Sequence, residues 1–295
     1  MTCVVNRSPS VCHRFGTSDA SISRRLRPPN PLVNSAVDAK MSSMQRAAAR
    51  YDLIKDFYLG VVGMEARDPV AATLVGILGD VRGLRVLDLA CGHGPIARQL
   101  ARSGARVTGV DISEVLLELA QAAEIEEPLG IAYLRLDATS NEALAGEVFD
   151  AVTCHHGLAD IDDLDGAIAT VARVLRPGGR FVFSILHPCF PGWSEDTPSS
   201  WPRGGGYSAE GWWLARNPRI RGKVGSNHRM ISTYLNSLVR NQLMIEEVSE
   251  PEPWTKLRAR QLAAQPDAGP LPMFLVVCCR KCRAELWDAA RLGDG

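Results

Sequence analysis

The run Val86-Leu87-Asp88-Leu89-Ala90-Cys91-Gly92-His93-Gly94 decides the fold. Its first half is apolar enough for a strand covered on both faces, and the glycines that follow lead through Pro95-Ile96-Ala97 into a helix. A strand, a glycine turn and a helix in that order form the opening unit of a doubly wound α/β sheet, whose ligands bind at the carboxyl ends of the strands. Gly92-His93-Gly94-Pro95-Ile96-Ala97 fits the dinucleotide fingerprint G-x-G-x-x-A, so the glycines alone admit a nicotinamide cofactor and an oxidoreductase.

Asp88 argues against that cofactor. A carboxylate at the strand's end repels a pyrophosphate and attracts a nucleoside that carries a sulfonium and a free ammonium group. Outward from the loop the chain alternates strand and helix. Strands are predicted near 84–90, 106–110, 131–136, 148–155 and 179–186, with helices near 94–103, 113–124 and 161–176 between them. Asp111 ends the second strand, where its carboxylate can accept from both ribose hydroxyls, and Asp137 closes the third, within reach of an adenine amine. The three carboxylates read as one acidic row at three consecutive strand ends.

These motifs, together with Gly109-Val110-Asp111-Ile112-Ser113, Phe149-Asp150-Ala151-Val152 and Arg173-Val174-Leu175-Arg176-Pro177-Gly178-Gly179, resemble those of the class I S-adenosylmethionine-dependent methyltransferases, in their small-molecule branch, over about residues 45–281. The resemblance implies a Rossmann-like, seven-stranded, mostly parallel α/β sheet of order 3-2-1-4-5-7-6 with strand 7 antiparallel. It implies S-adenosyl-L-methionine as cofactor. It also implies a binding set of Tyr51 in a closing helix, Asp88, Ala90, Gly92 and Gly94 in the first loop, Asp111 and Ile112 after strand 2, Asp137 and Ala138 after strand 3, and His155 at the methionine end.

The rest of the chain is organised around that domain. Residues 1–40 are rich in Ser, Arg and Pro and read as a disordered tail, 41–281 as the methyltransferase domain, and 282–295 as a C-terminal tail. A helix is predicted over about 44–59 with Leu53, Ile54, Phe57 and Tyr58 on one side, and another from Asp68-Pro69 to about Leu78. After strand 5 the rhythm breaks into an insertion, 187–229, a possible substrate lid that holds four of the six tryptophans. A helix at about 230–240 stopped by Asn241 follows, then strands at 242–249 and 273–280 joined by a long proline-bearing loop.

On the acceptor side, His156 and His187 leave central strands at the ligand edge and are the expected catalytic pair. Trp193, Tyr207, Trp212, His228, Arg229 and Tyr234 are the expected substrate contacts. Lys+Arg and Asp+Glu total 33 each, so no net positive field gathers nucleic acid or an anionic membrane. Neither the pair Pro188-Cys189 nor the run Cys154-His155-His156-Gly157 carries the surroundings that base methylation uses. The partner expected is a small-molecule methyl acceptor, methylated on oxygen or nitrogen in specialised metabolism; the rival reading is a cofactor-binding protein of the same fold that does not methylate. Eight cysteines do not make a disulfide scaffold in a chain of this size, no apolar run reaches membrane-spanning length, and the protein reads as cytoplasmic. Cys278, Cys279 and Cys282 lack the second ligand pair of a structural zinc site, Cys278 and Cys279 read as apolar strand residues, and no metal is expected.

Overall fold

The computed structural model describes residues 50–63, 68–140, 142, 144–190, 206–214, 219–252, 255–264 and 271–283. All lie within the unit Met41–Gly295. The expected tail at 1–40, the end beyond 283, and Trp193 lie outside them.

Two short helices, α1 (Lys55–Val62) and α2 (Pro69–Leu78), precede the sheet. There follow β1 (Arg85–Leu89), α3 (Pro95–Arg102), β2 (Arg106–Asp111), α4 (Glu114–Glu126), β3 (Ala132–Arg135), β4 (Phe149–His155), α5 (Leu164–Val174) and β5 (Leu175–Leu186). The chain continues through β6 (Gly211–Trp213), α6 (Ile220–Val224), β7 (Ser226–His228), α7 (Ile231–Arg240), β8 (Leu243–Ser249), α8 (Thr255–Ala264) and β9 (Phe274–Lys281). The main sheet has the order β3-β2-β1-β4-β5-β9-β8, parallel from β3 to β5, with β9 antiparallel to both neighbours. The expected topology and the antiparallel last strand are both present.

Alternation along each central strand fills two cores. Phe181, Phe183 and Ile185 of β5 join Leu87, Leu89, Ile168, Val171 and Leu238 on one face. Val182 joins Val86, Leu74, Ile96, Leu100 and Val276 on the other. Cys278 and Cys279 are buried on opposite faces of β9, as successive strand residues must be.

Several local expectations are corrected. The turn at Leu53–Ile54 interrupts the first helix, so the helical period does not run through it, and Leu53 is 85% exposed. The residue in left-handed conformation after α7 is Gln242 (φ 58°), whereas Asn241 has φ −98°. The connection from β8 to β9 contains helix α8, which its prolines concealed. β5 starts four residues early, and its register against β4 jumps from Phe149↔Leu175 to Ala151↔Arg180, so that Arg176-Pro177-Gly178-Gly179 is a bulge within a strand as well as a helix stop. Inside the insertion, β6 and β7 pair as a separate antiparallel ribbon.

Candidate functional site

Strand register sets the depth of each acidic residue. Asp88 pairs with Gly109, and Asp111 pairs with Arg135. Asp88 therefore lies two residues, about 7 Å, deeper in the sheet than Asp111, and Asp137 follows the end of β3 on the other side of that level. The expected single row is instead a diagonal.

That depth changes what Asp88 is. Its side chain is 1% exposed. Oδ1 accepts from the Thr153 hydroxyl at 2.8 Å, while Oδ2 makes no hydrogen bond of good geometry. Burial pushes its pKa up to about 7, only partly offset by the Thr153 hydroxyl and the Ala97 amide. Asp111 stands two residues nearer the carboxyl edge of the sheet. Its Oδ2 accepts from the Gly92 amide at 2.7 Å and its Oδ1 from the Ser113 amide at 2.9 Å, and burial raises its pKa against those bonds. Asp137 Oδ1 accepts from the amide and hydroxyl of Thr139. Ile112 offers its carbonyl to Arg135, and Ala138 packs against the core that holds Phe181 and Phe183.

The loop between β1 and α3 is shaped for close approach. Ala90, Gly92 and Gly94 have φ of 54°, 56° and 85°. A Cβ on Gly94 would stand 2.3 Å from the Tyr133 hydroxyl, itself buried without a partner. The N-terminal helix closes over this loop. Tyr58 meets His93 edge-on, His93 Nε2 donates to the Gly63 carbonyl at 2.9 Å, and the Ser113 hydroxyl donates to Asp52 at 2.5 Å. Tyr51 donates to Asp160 at 2.7 Å, and Arg221 of α6 pairs with the same carboxylate, so one half-buried carboxylate ties together the helical turn before α1, the turn after β4 and the insertion. Burial, followed by Asp160, raises the Tyr51 pKa.

The turn after β4 lies directly against the glycine loop: a Cβ on Gly157 would stand 2.5 Å from the Ala90 Cβ. His155 and His156 sit at that junction, with their rings 4.0 Å apart and His156 5.0 Å from Phe274. Ser184 of β5 touches both, at 2.9 Å from His155 Nδ1 and 3.4 Å from His156 Nδ1. Burial, then the neighbouring His155, holds the His156 pKa well below the usual imidazole range. His187 does not join them. Its Nε2 donates to Glu250 at 2.8 Å and its Nδ1 accepts from the Cys189 amide at 3.1 Å, so both ring nitrogens are engaged and the expected pairing of His156 with His187 is replaced by His156 with His155.

The expected substrate contacts divide. Trp212 is half exposed, with the Arg50 guanidinium 5.9 Å from its ring. His228 donates to the Tyr207 carbonyl at 2.7 Å, and the Tyr207 hydroxyl accepts from the Ile231 amide. Arg229 is turned inward, donating to the carbonyls of Leu158, Ile161 and Asp162 at 3.0, 2.7 and 2.8 Å. Its role in this structure is to hold the turn after β4. Arg229→Lys keeps the charge but loses the planar fork, and is expected to lower stability by about 2 kcal/mol, with faster amide exchange at 158–162; unchanged exchange there would remove that role. Tyr234 is buried and, with Leu186, Pro188, Trp213 and His228, lines a small cleft beside that turn. Asp160 and Ser184 escaped the sequence reading, as did the partners of Asp68 and Arg221, since nothing in their spacing shows that they meet residues so distant in the chain.

The glycine loop, the carboxylates at successive strand ends and the sheet order define the class as a Rossmann-like α/β protein. Residues 87–183 match the family model described as a methyltransferase domain. A solved S-adenosylmethionine-dependent methyltransferase from Mesorhizobium loti is 34% identical, with 72% of this chain and 98% of that one aligned at a TM-score of 0.57. A Burkholderia thailandensis 1,6-didemethyltoxoflavin-N1-methyltransferase shares the fold at 20% identity and a TM-score of 0.55, over 86% of this chain and 93% of that one. A ubiquinone biosynthesis O-methyltransferase of Alkalilimnicola ehrlichii is 37% identical over 110 residues, which are 37% of this chain and 44% of that protein. The chain spans about half the length of the curated relatives it matches. The chain belongs to the S-adenosylmethionine-dependent methyltransferases.

Proposed function

We propose that this chain transfers the methyl group of S-adenosylmethionine to an oxygen or nitrogen of a small-molecule acceptor seated beside His155 and His156. The observation that carries this reading is the contact of Gly157 with Ala90, which brings the acceptor-side histidines against the cofactor loop. The loop fits the cofactor: the orphaned, buried Oδ2 of Asp88 suits a cationic partner, and Gly92 and Gly94 leave room for backbone to approach a ligand. Asp111 and Asp137 with Ala138 would hold the ribose and adenine, with Tyr51 and Tyr58 as cover. Bound there, the cofactor supplies an electrophilic methyl on a sulfonium; the chain's own work is to orient the acceptor, exclude water and receive any proton the acceptor releases. The curated relatives named for ubiquinone biosynthesis are O-methyltransferases, which supports an oxygen acceptor. No helix among the described residues is long and apolar enough to cross a membrane, and the balanced charge gives no field to collect a polyanion.

The test is a screen of phenolic, carboxylic and amine metabolites with radiolabelled S-adenosylmethionine, following label in product and S-adenosylhomocysteine together. Equal amounts of the two are expected with a true acceptor. Binding of NAD but not S-adenosylmethionine in calorimetry would overturn the reading. With the acceptor known, His156→Ala is expected to lower kcat about a hundredfold through lost positioning while leaving cofactor affinity within about twofold; unchanged kcat would take His156 out of the site.

A further inference from the structure

From the cluster Asp68, His155, His156 we infer that this chain binds a divalent transition-metal ion of the zinc class at the junction of α2, β4 and β5. One coordinating atom from each of the three side chains lies within 4.8 Å of the other two. His155 Nε2 and Asp68 Oδ2 are 3.5 Å apart, close to the ~3.4 Å edge of a tetrahedron whose ligands stand at zinc distances. Two imidazoles and one carboxylate, with positions left open, form a donor set typical of zinc and ferrous catalytic sites.

The backbone assembles these ligands against its own tendency. Successive residues of a strand point to opposite faces, so adjacent histidines at the end of β4 should diverge. His156 instead takes a left-handed conformation, φ 61° and ψ −2°, a costly one for a residue with a Cβ, and its ring comes round to lie 4.0 Å from that of His155. Ser184 holds that conformation, accepting the His156 amide on its carbonyl at 3.0 Å and on its hydroxyl at 3.1 Å.

The ligands are also oriented from behind. The Ser184 hydroxyl lies 2.9 Å from His155 Nδ1, leaving Nε2 to face the ion. Asp68 caps α2 through Oδ1, which accepts the Ala71 amide at 2.9 Å, leaving Oδ2 to coordinate. Such outer partners are what metal-ligating histidines and carboxylates use to fix their orientation. The nearby Arg221 cation is already paired with Asp160. No local pattern marks this site, because Asp68 lies more than eighty residues before the histidines and belongs to no spaced ligand motif. An ion here would stand beside the cofactor loop, able to polarise an acceptor hydroxyl. That consequence rests on the methyltransferase reading; ion binding does not.

The test is to strip the full chain with a chelator, dialyse it against Zn²⁺ and measure metal by elemental analysis, with Co²⁺ loaded in parallel for its visible ligand-field bands. About one equivalent per chain is expected. Asp68→Asn, which can still cap α2, and His155→Gln should each weaken Zn²⁺ binding about a hundredfold or more, and Ser184→Ala about tenfold. No retained equivalent in the wild-type chain would overturn the proposal, and that result needs no variant to fold. Retention unchanged in both Asp68→Asn and His155→Gln would also overturn it, placing the ion elsewhere. S-adenosylmethionine calorimetry on the same samples separates the two readings: metal without cofactor binding sinks the methyltransferase proposal alone, and cofactor without metal sinks this one alone.

Discussion

Gly94→Ala is expected to cost the free protein about 3 kcal/mol and to weaken S-adenosylmethionine binding about a hundredfold. Two separable effects add. At φ 85° an alanine meets its own backbone, and its Cβ would stand 2.3 Å from the Tyr133 hydroxyl and 2.9 Å from Tyr133 Cζ. Tyr133→Phe removes the nearest atom. Because that hydroxyl is buried with no hydrogen-bond partner, Tyr133→Phe alone should be neutral or stabilise the free chain by about 1 kcal/mol. The double variant should then recover part of the stability lost in Gly94→Ala, and the remainder measures the left-handed backbone alone. Denaturant unfolding of the four proteins, with calorimetry of the cofactor, decides it; strict additivity would show that Tyr133 gives way freely.

Asp88 gives the second large effect, and its direction follows from burial. Its carboxyl keeps its proton in the folded chain up to about pH 7, whereas in the unfolded chain it ionises near the ordinary 3.8. Between those values the folded state holds the extra proton, so this group's contribution to stability falls as pH rises, by a total on the order of 4 kcal/mol. Below the lower value the contribution is fully present; above the upper one the loss is complete. Asp88→Asn should abolish that slope while leaving the others. A cationic ligand favours the carboxylate, so below pH 7 binding must expel the proton, and affinity should fall about tenfold per pH unit. Calorimetry at pH 6 in buffers of different ionisation enthalpy should record close to one proton released in the wild-type chain and none in Asp88→Asn. Equal proton release in the two would take Asp88 out of cofactor recognition.

Most of the fold was legible because it depends on local pattern. Alternation, helical spacing and glycine turns set the order and approximate place of β1 to β5 and their helices, and a both-faces-apolar run such as Phe181–Leu186 has few other places to go. Errors fell where a short-range signal was absent or ambiguous: the break at Leu53–Ile54, α8 among its prolines, and the bulge that extends β5 backwards.

The run Val86 to Gly94 was thus determined by the sequence as strand and glycine turn, and the acidic residues after it as ends of neighbouring strands. Only the tertiary structure decided their depth. Register buried Asp88 two residues below Asp111 and so turned an expected strand-end carboxylate into a buried carboxyl with its pKa raised to about 7. Only packing, too, turned Arg229 onto backbone carbonyls, engaged both nitrogens of His187, and brought Asp68 to His155 and His156. Sequence patterns encode which face a residue takes because that is set by neighbours a few positions away. What a side chain touches is set by register and by elements distant in the chain, where desolvation and hydrogen bonding decide its chemistry.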